Sequence, residues 1–288
     1  MTEDRRRGGL RGEAGRVVES RAALGGWHPV EWLCELVGTG GQLFLAFVVV
    51  AALESPLSPL TAAIPNPTVR LALIGLMIGL LAALVAVSPL GRRSGAHLNP
   101  AVTIGFWARG STHVHDLLGY VAAQVVGAVL GALAFGAVMG EWARTAGYAR
   151  TELGPGVSAW RAFGIEVAIT FLLVLAVLLM TSSHRTARWT PAVIALALTV
   201  LVPVGGPPTG ASMNPARTLG PDVASGTYPA LWVYLLGPAL GAVLAALAYP
   251  LLAAGRRVLT AKVFLDERYH DVHAVHRPPT PAGDDAPG

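Results

Sequence analysis

Six apolar runs, at positions 32–53, 69–90, 117–139, 162–180, 187–204 and 231–252, dominate this sequence. Each is close to the roughly 20 residues a helix needs to cross the hydrocarbon core of a bilayer. Few folds are open to such a chain, because backbone polar groups in lipid must be satisfied within helices or closed barrels. The charge distribution agrees. Only 13% of the 288 residues are charged, about half the proportion usual in soluble domains. More than half of those charges, 20 of 38, fall within 1–30 and 255–288. An apolar block between two polar tails excludes a soluble enzyme, a secreted disulfide scaffold and a nucleic-acid binder. The lone cysteine, Cys34, leaves neither a disulfide framework nor a thiolate metal site.

The net charge of +4 comes with Arg5, Arg6, Arg7, Arg11, Arg16 and Arg21 interleaved with Glu3, Asp4, Glu13 and Glu19. That is the pattern of a solvated, disordered tail. Residues 1–30 lack an apolar core of signal-peptide length, so no cleavage is expected. The expected organisation is a basic tail over 1–30, a membrane domain over 31–253 with halves 31–140 and 160–253, and a second tail over 254–288. Of the 21 basic residues, 16 fall in the tails or in connections on the same side, including Arg92, Arg93, Arg109, Arg185 and Arg188. The positive-inside rule then places both termini in the cytoplasm of a multi-pass protein of the plasma membrane.

Two segments are too short to be spans. Residues 99–109 and 214–225 have helical patterns but about 11 residues, near 16 Å, half the bilayer. Each opens with Asn-Pro-Ala: Asn99, Pro100 and Ala101 in one, Asn214, Pro215 and Ala216 in the other. Asparagine is a preferred N-cap and proline suits the first helical position, so both triplets spell helix starts at membrane depth. They belong to an internal repeat. Glu35 with Thr39 matches Glu166 with Thr170; the octet from Ser94 to Ala101 matches that from Thr209 to Ala216; Gly127 matches Gly241. Three spans per half is an odd number, so the halves enter the membrane in opposite directions. Irregular backbone over 91–98 and 205–213 is then expected to line a wet cavity.

On these residues the chain resembles the major intrinsic protein family, the aquaporins and glycerol facilitators, over about 31–253. The run from Gly210 to Arg217 is similar to glycerol facilitators and nodulin-type plant channels. The resemblance implies an all-α membrane protein with six transmembrane helices and two re-entrant half-helices in an inverted repeat. It also implies a homotetramer with one pore per subunit. The family's narrow filter, counted without gaps from the two asparagines, falls here on Gly79, Val202, Ala211 and Arg217. A one-residue gap would substitute Leu80 or Ile78 for Gly79. Water channels carry an aromatic and a histidine at the first two positions, so small or aliphatic residues imply a wider constriction. Asp222 departs from the basic residue that glycerol facilitators carry at its position.

Two converging helix N-termini and an intramembrane arginine form a barrier against protons and cations, as aquaporin-type pores do. The Asn99 and Asn214 carboxamides offer donors to a passing oxygen. Glu35 and Glu166 read either as braces for the irregular loops or as a proton-coupling pair. His97 is expected to pack and hydrogen-bond in its loop. No metal, cofactor or catalytic residue is expected. The sequence therefore predicts a passive channel for water and small uncharged solutes such as glycerol, urea-sized molecules or undissociated metalloid acids. The alternatives are a water-selective channel and, from another class, a proton-coupled secondary transporter.

Overall fold

The computed structural model describes residues 27–253 and 255–264, all in helices and their connections. The expectations for 1–26 and 265–288 lie outside the described residues. The first half comprises α1 (Pro29–Glu54), α2 (Pro59–Ala63), α3 (Pro67–Val87), α4 (Pro89–Ser94), α5 (Pro100–Ala108) and α6 (Val114–Met139). After α7 (Glu141–Thr145), the second half comprises α8 (Ala159–Met180), α9 (His184–Ala187), α10 (Thr190–Thr209), α11 (Pro215–Ser225) and α12 (Leu231–Leu252). The helices α1, α3, α6, α8, α10 and α12 are long and apolar enough to cross a membrane. Proline stands in the first turn of α1, α3, α5, α10 and α11, where its missing N–H leaves no bond unmade.

Prolines also account for where elements depart from the apolar runs. The second run breaks at Pro89, and Ser88 caps a separate short helix by accepting from Gly91 N–H at 3.4 Å. The first irregular stretch is therefore 95–98 rather than 91–98. Conversely, α10 continues through Pro203, Pro207 and Pro208 to a left-handed cap at Gly210, shrinking the second irregular stretch to 210–213. Membrane helices tolerate such prolines, and at the end of this helix the orphan carbonyl of Pro208 accepts from Gly154 N–H at 2.9 Å.

Helices pair where glycines remove side chains. A Cβ on Gly127 would lie 2.3 Å from Leu36 O, one on Gly131 2.5 Å from Gly40 O, and one on Gly241 2.5 Å from Val167 O. The close crossings of α6 and α12 are thus with α1 and α8, respectively. Large apolar side chains such as Leu84, Leu118, Leu196 and Leu251 point outward, as a surface facing lipid requires.

Two further differences concern the ends. The helix α1 starts at Pro29, inside the stretch expected to be tail. Residues 255–264 fold back onto the bundle: Leu259 N–H donates to Thr181 O and Val263 N–H to Gly95 O, both at 2.9 Å. The fully buried Lys262 donates from Nζ to Arg92 O at 3.1 Å.

Candidate functional site: a conduit between two half-helices

The two irregular loops share one backbone path. Gly95, Ala96 and Leu98 have φ of 97°, 53° and 52°; Gly210, Ala211 and Met213 have 76°, 49° and 50°. A non-glycine residue held there costs on the order of 1–3 kcal/mol and needs support from its surroundings. That support comes from two fully buried carboxylates. Glu35 accepts from Ser94 Oγ–H (2.6 Å), His97 N–H (3.0 Å), Leu98 N–H (2.7 Å) and Gln124 Nε2–H (2.8 Å). Glu166 accepts from Thr209 Oγ1–H (2.7 Å), Ser212 N–H (2.9 Å) and Met213 N–H (2.9 Å). Charge-assisted bonds of this kind are the strong ones. A second pair went unread in the sequence. Tyr120 Oη–H donates to Ser94 O at 2.6 Å and Tyr234 Oη–H to Thr209 O at 2.9 Å. Each tyrosine stands seven positions before the matched Gly127 or Gly241.

Asn99 and Asn214 cap α5 and α11 and also bind across the repeat axis. Asn99 Oδ1 accepts from Ala101 N–H at 2.8 Å, and its Nδ2–H donates to Met213 O at 2.8 Å. Asn214 Oδ1 accepts from Ala216 N–H and Arg217 N–H at 3.0 and 3.3 Å, and its Nδ2–H donates to Leu98 O at 3.1 Å. A carboxamide carries two N–H donors, so each asparagine keeps one for a solute. Pro100, Ala101, Pro215 and Ala216 are buried in the first turns of the two half-helices.

Both loops and both asparagines line one cavity. Its wall is mostly aliphatic, with Ile78, Leu198, Val202 and Ala211 on one side. Gln42 is the polar side chain that α1 contributes. Arg217 is the one charged side chain among the described lining residues; Glu35 and Glu166 are not in the wall. The Arg217 guanidinium donates to Ala149 O at 2.7 Å and lies 5.8 Å from the Phe47 ring centroid. Ala149 belongs to the connection between halves, where Tyr148 and Ala149 both take positive φ, so that connection folds inward to hold the arginine. On α11, Asp222 is fully buried and neither carboxylate oxygen has a hydrogen-bond partner among the described residues.

Three of the expected filter residues, Val202, Ala211 and Arg217, lie in the cavity wall; Gly79 does not. A Cβ on Gly79 would meet Ala195 Cα at 2.3 Å, and one on Gly75 would meet Leu198 O at 2.2 Å. These two glycines are the close crossing of α3 with α10. The side chains that α3 gives to the cavity are Ile78, Ala82 and Ala83. His97 also lines the cavity; its Nε2–H donates to Ala261 O at 2.7 Å, and its Nδ1 lies 3.2 Å from Thr103 Oγ1. Val263, from the returning C-terminal segment, is a lining residue too.

Comparison with known proteins gives a consistent result. The family model described as "Major intrinsic protein" matches residues 29–249. An aquaporin, AqpM of Methanothermobacter marburgensis, is 37% identical over 186 residues, covering 61% of this chain and 74% of that protein. A glycerol uptake facilitator-like protein of Lactiplantibacillus plantarum is 36% identical over 180 residues, covering 60% of this chain and 81% of that one. The crystal structure of the aquaglyceroporin from Plasmodium falciparum superposes with a TM-score of 0.65 at 25% identity, covering 77% of this chain and 96% of its own.

Proposed function

The chain belongs to the major intrinsic protein family, whose members are channels and not enzymes, and from that premise we propose that it conducts glycerol-sized uncharged solutes as well as water. The supporting observation is the make-up of the cavity wall: one cation, the carboxamides of Gln42, Asn99 and Asn214, the His97 imidazole and Ser212, and otherwise mainly aliphatic side chains. A polyol slides its alkyl backbone along Ile78, Val202 and Leu198 while its hydroxyls exchange water for Asn99, Asn214 and Arg217. Diameter and lining donors are what set selectivity in pores of this type. Arg217 and the N-termini of α5 and α11 repel cations and protons. Arginine at this depth is costly and by default functional. The termini lie in the cytoplasm by the positive-inside rule, the protein sits in the plasma membrane, and four copies assemble with one pore each, as in the family it belongs to.

The placement of the two buried carboxylates argues against a proton-coupled mechanism. Among the described residues, Glu35 and Glu166 accept from the two loops, from Ser94 and Thr209 at the helix ends ahead of them, and from Gln124, and neither carboxylate is in the cavity wall. A swelling assay on proteoliposomes with water, glycerol, urea and boric acid tests the solute reading. Glycerol and boric acid are expected to permeate well above protein-free vesicles. Water permeation with glycerol at the background rate would replace this reading with a water-selective channel.

A further inference from the structure

At the basic end of the bundle, the first turn of α6 meets the residue just ahead of α1. We propose that His28, His115 and Asp116 form a binding site for a divalent transition-metal ion of the zinc type, tying α1 to α6. Each residue offers one ligand atom, and the three atoms lie within 4.8 Å of one another. His28 Nδ1 is 3.0 Å from Asp116 Oδ2, and His115 Nε2 is 3.6 Å from the same oxygen. His28 Nδ1 is also 2.9 Å from Asp116 Oδ1. Ligands held at about 2.0–2.1 Å around a tetrahedral zinc stand about 3.3 Å apart, between the two separations to Oδ2, so binding requires the two imidazole nitrogens, within 4.8 Å of each other, to close on the ion. Trp32 Nε1–H donates to the other oxygen, Oδ1, at 3.0 Å. Such an outer contact fixes the orientation of a ligating carboxylate.

A His28–Asp116 ion pair alone accounts for only part of this geometry. It leaves His115 Nε2 buried without a hydrogen bond, too far from Oδ2 to make one. A cation between the three takes a lone pair from each imidazole and neutralises a fully buried carboxylate. Two imidazoles and one carboxylate suit zinc and its neighbours, whereas calcium and magnesium favour all-oxygen shells. The side chain of His115 is 29% exposed, which gives the ion an entry path and leaves a fourth position for water. The sequence carries little local sign of this site, because His28 stands 88 positions from Asp116 and only His115 and Asp116 are neighbours in the chain.

The test uses tag-free protein in detergent carrying His270→Ala, His273→Ala and His276→Ala, which removes the other closely spaced histidines. Equilibrium dialysis against zinc chloride, followed by metal analysis, should give one zinc per chain. His115→Ala and His28→Ala, each added singly, should weaken zinc binding about tenfold or more. Zinc should also raise the melting temperature of the parent and fail to raise that of either variant. Absence of saturable zinc in the parent, or parental affinity in either single variant, would overturn the proposal.

Discussion

Arg217, Gly79 and Ile78 show what single residues decide here. Arg217 is held by the Ala149 carbonyl and the Phe47 ring, so removing it leaves one carbonyl without its donor, at about 1–3 kcal/mol, while the six spans stay paired through contacts it does not make. Arg217→Val is expected to let protons or small cations leak while water still passes; conductance of planar bilayers measures this, and ion tightness equal to the parent would contradict it. Gly79 was legible as a small residue but not by its face. A shift of one position along a helix turns a side chain by about 100°, and no count from Asn99 fixes that turn. Gly79→Leu should therefore cost folded protein, because its Cβ would lie 2.3 Å from Ala195 backbone. Overpacking of this kind typically costs about 1–3 kcal/mol or more. Ile78→Ala is expected to fold normally and to raise the ratio of glycerol to water permeability. Thermal melting and stopped-flow light scattering separate these outcomes, and normal folding of Gly79→Leu with reduced glycerol flux would restore Gly79 to the pore.

The element that carries the site is the braced loop, built twice. The asparagine caps and the glutamates were legible because each is one residue type at one spacing, repeated. The matched roles of Tyr120 and Tyr234 were not legible because an aromatic in an apolar helix reads as core until its hydroxyl partner is known. The loop ends were misplaced because Pro89 breaks a run that hydropathy continues, whereas Pro203, Pro207 and Pro208 do not break theirs. Glu166→Ala removes three charge-assisted bonds from a strained loop. Each is worth about 1.5–3 kcal/mol, with the buried donors left unpaired, so the expected loss is about 4.5 kcal/mol or more. Tyr234→Phe should cost about 1 kcal/mol. Melting in detergent checks both; a Glu166→Ala protein as stable as the parent would remove the bracing role.

At the scale of the whole molecule, the inverted repeat was legible because both halves spell the same loop, whereas the return of the C-terminal segment was not. Val263 reaches the cavity through contacts with Gly95, more than 160 positions away, and no local pattern announces such a contact. Ending the chain at residue 258 removes Val263 from the wall. Glycerol flux should then rise while the ratio of glycerol to water holds steady, since Val202, Ala211 and Arg217 are untouched. A changed ratio with unchanged glycerol flux would contradict this. The central claim is passive conduction of neutral solutes through a wall from which the buried carboxylates Glu35 and Glu166 are absent. It is tested most directly by following glycerol entry into proteoliposomes with and without an imposed pH gradient while an internal dye reports pH. Entry should run only down the glycerol gradient, at the same rate in both conditions, with no change of internal pH; glycerol accumulation driven by the proton gradient, or acidification that keeps pace with entry, would contradict it.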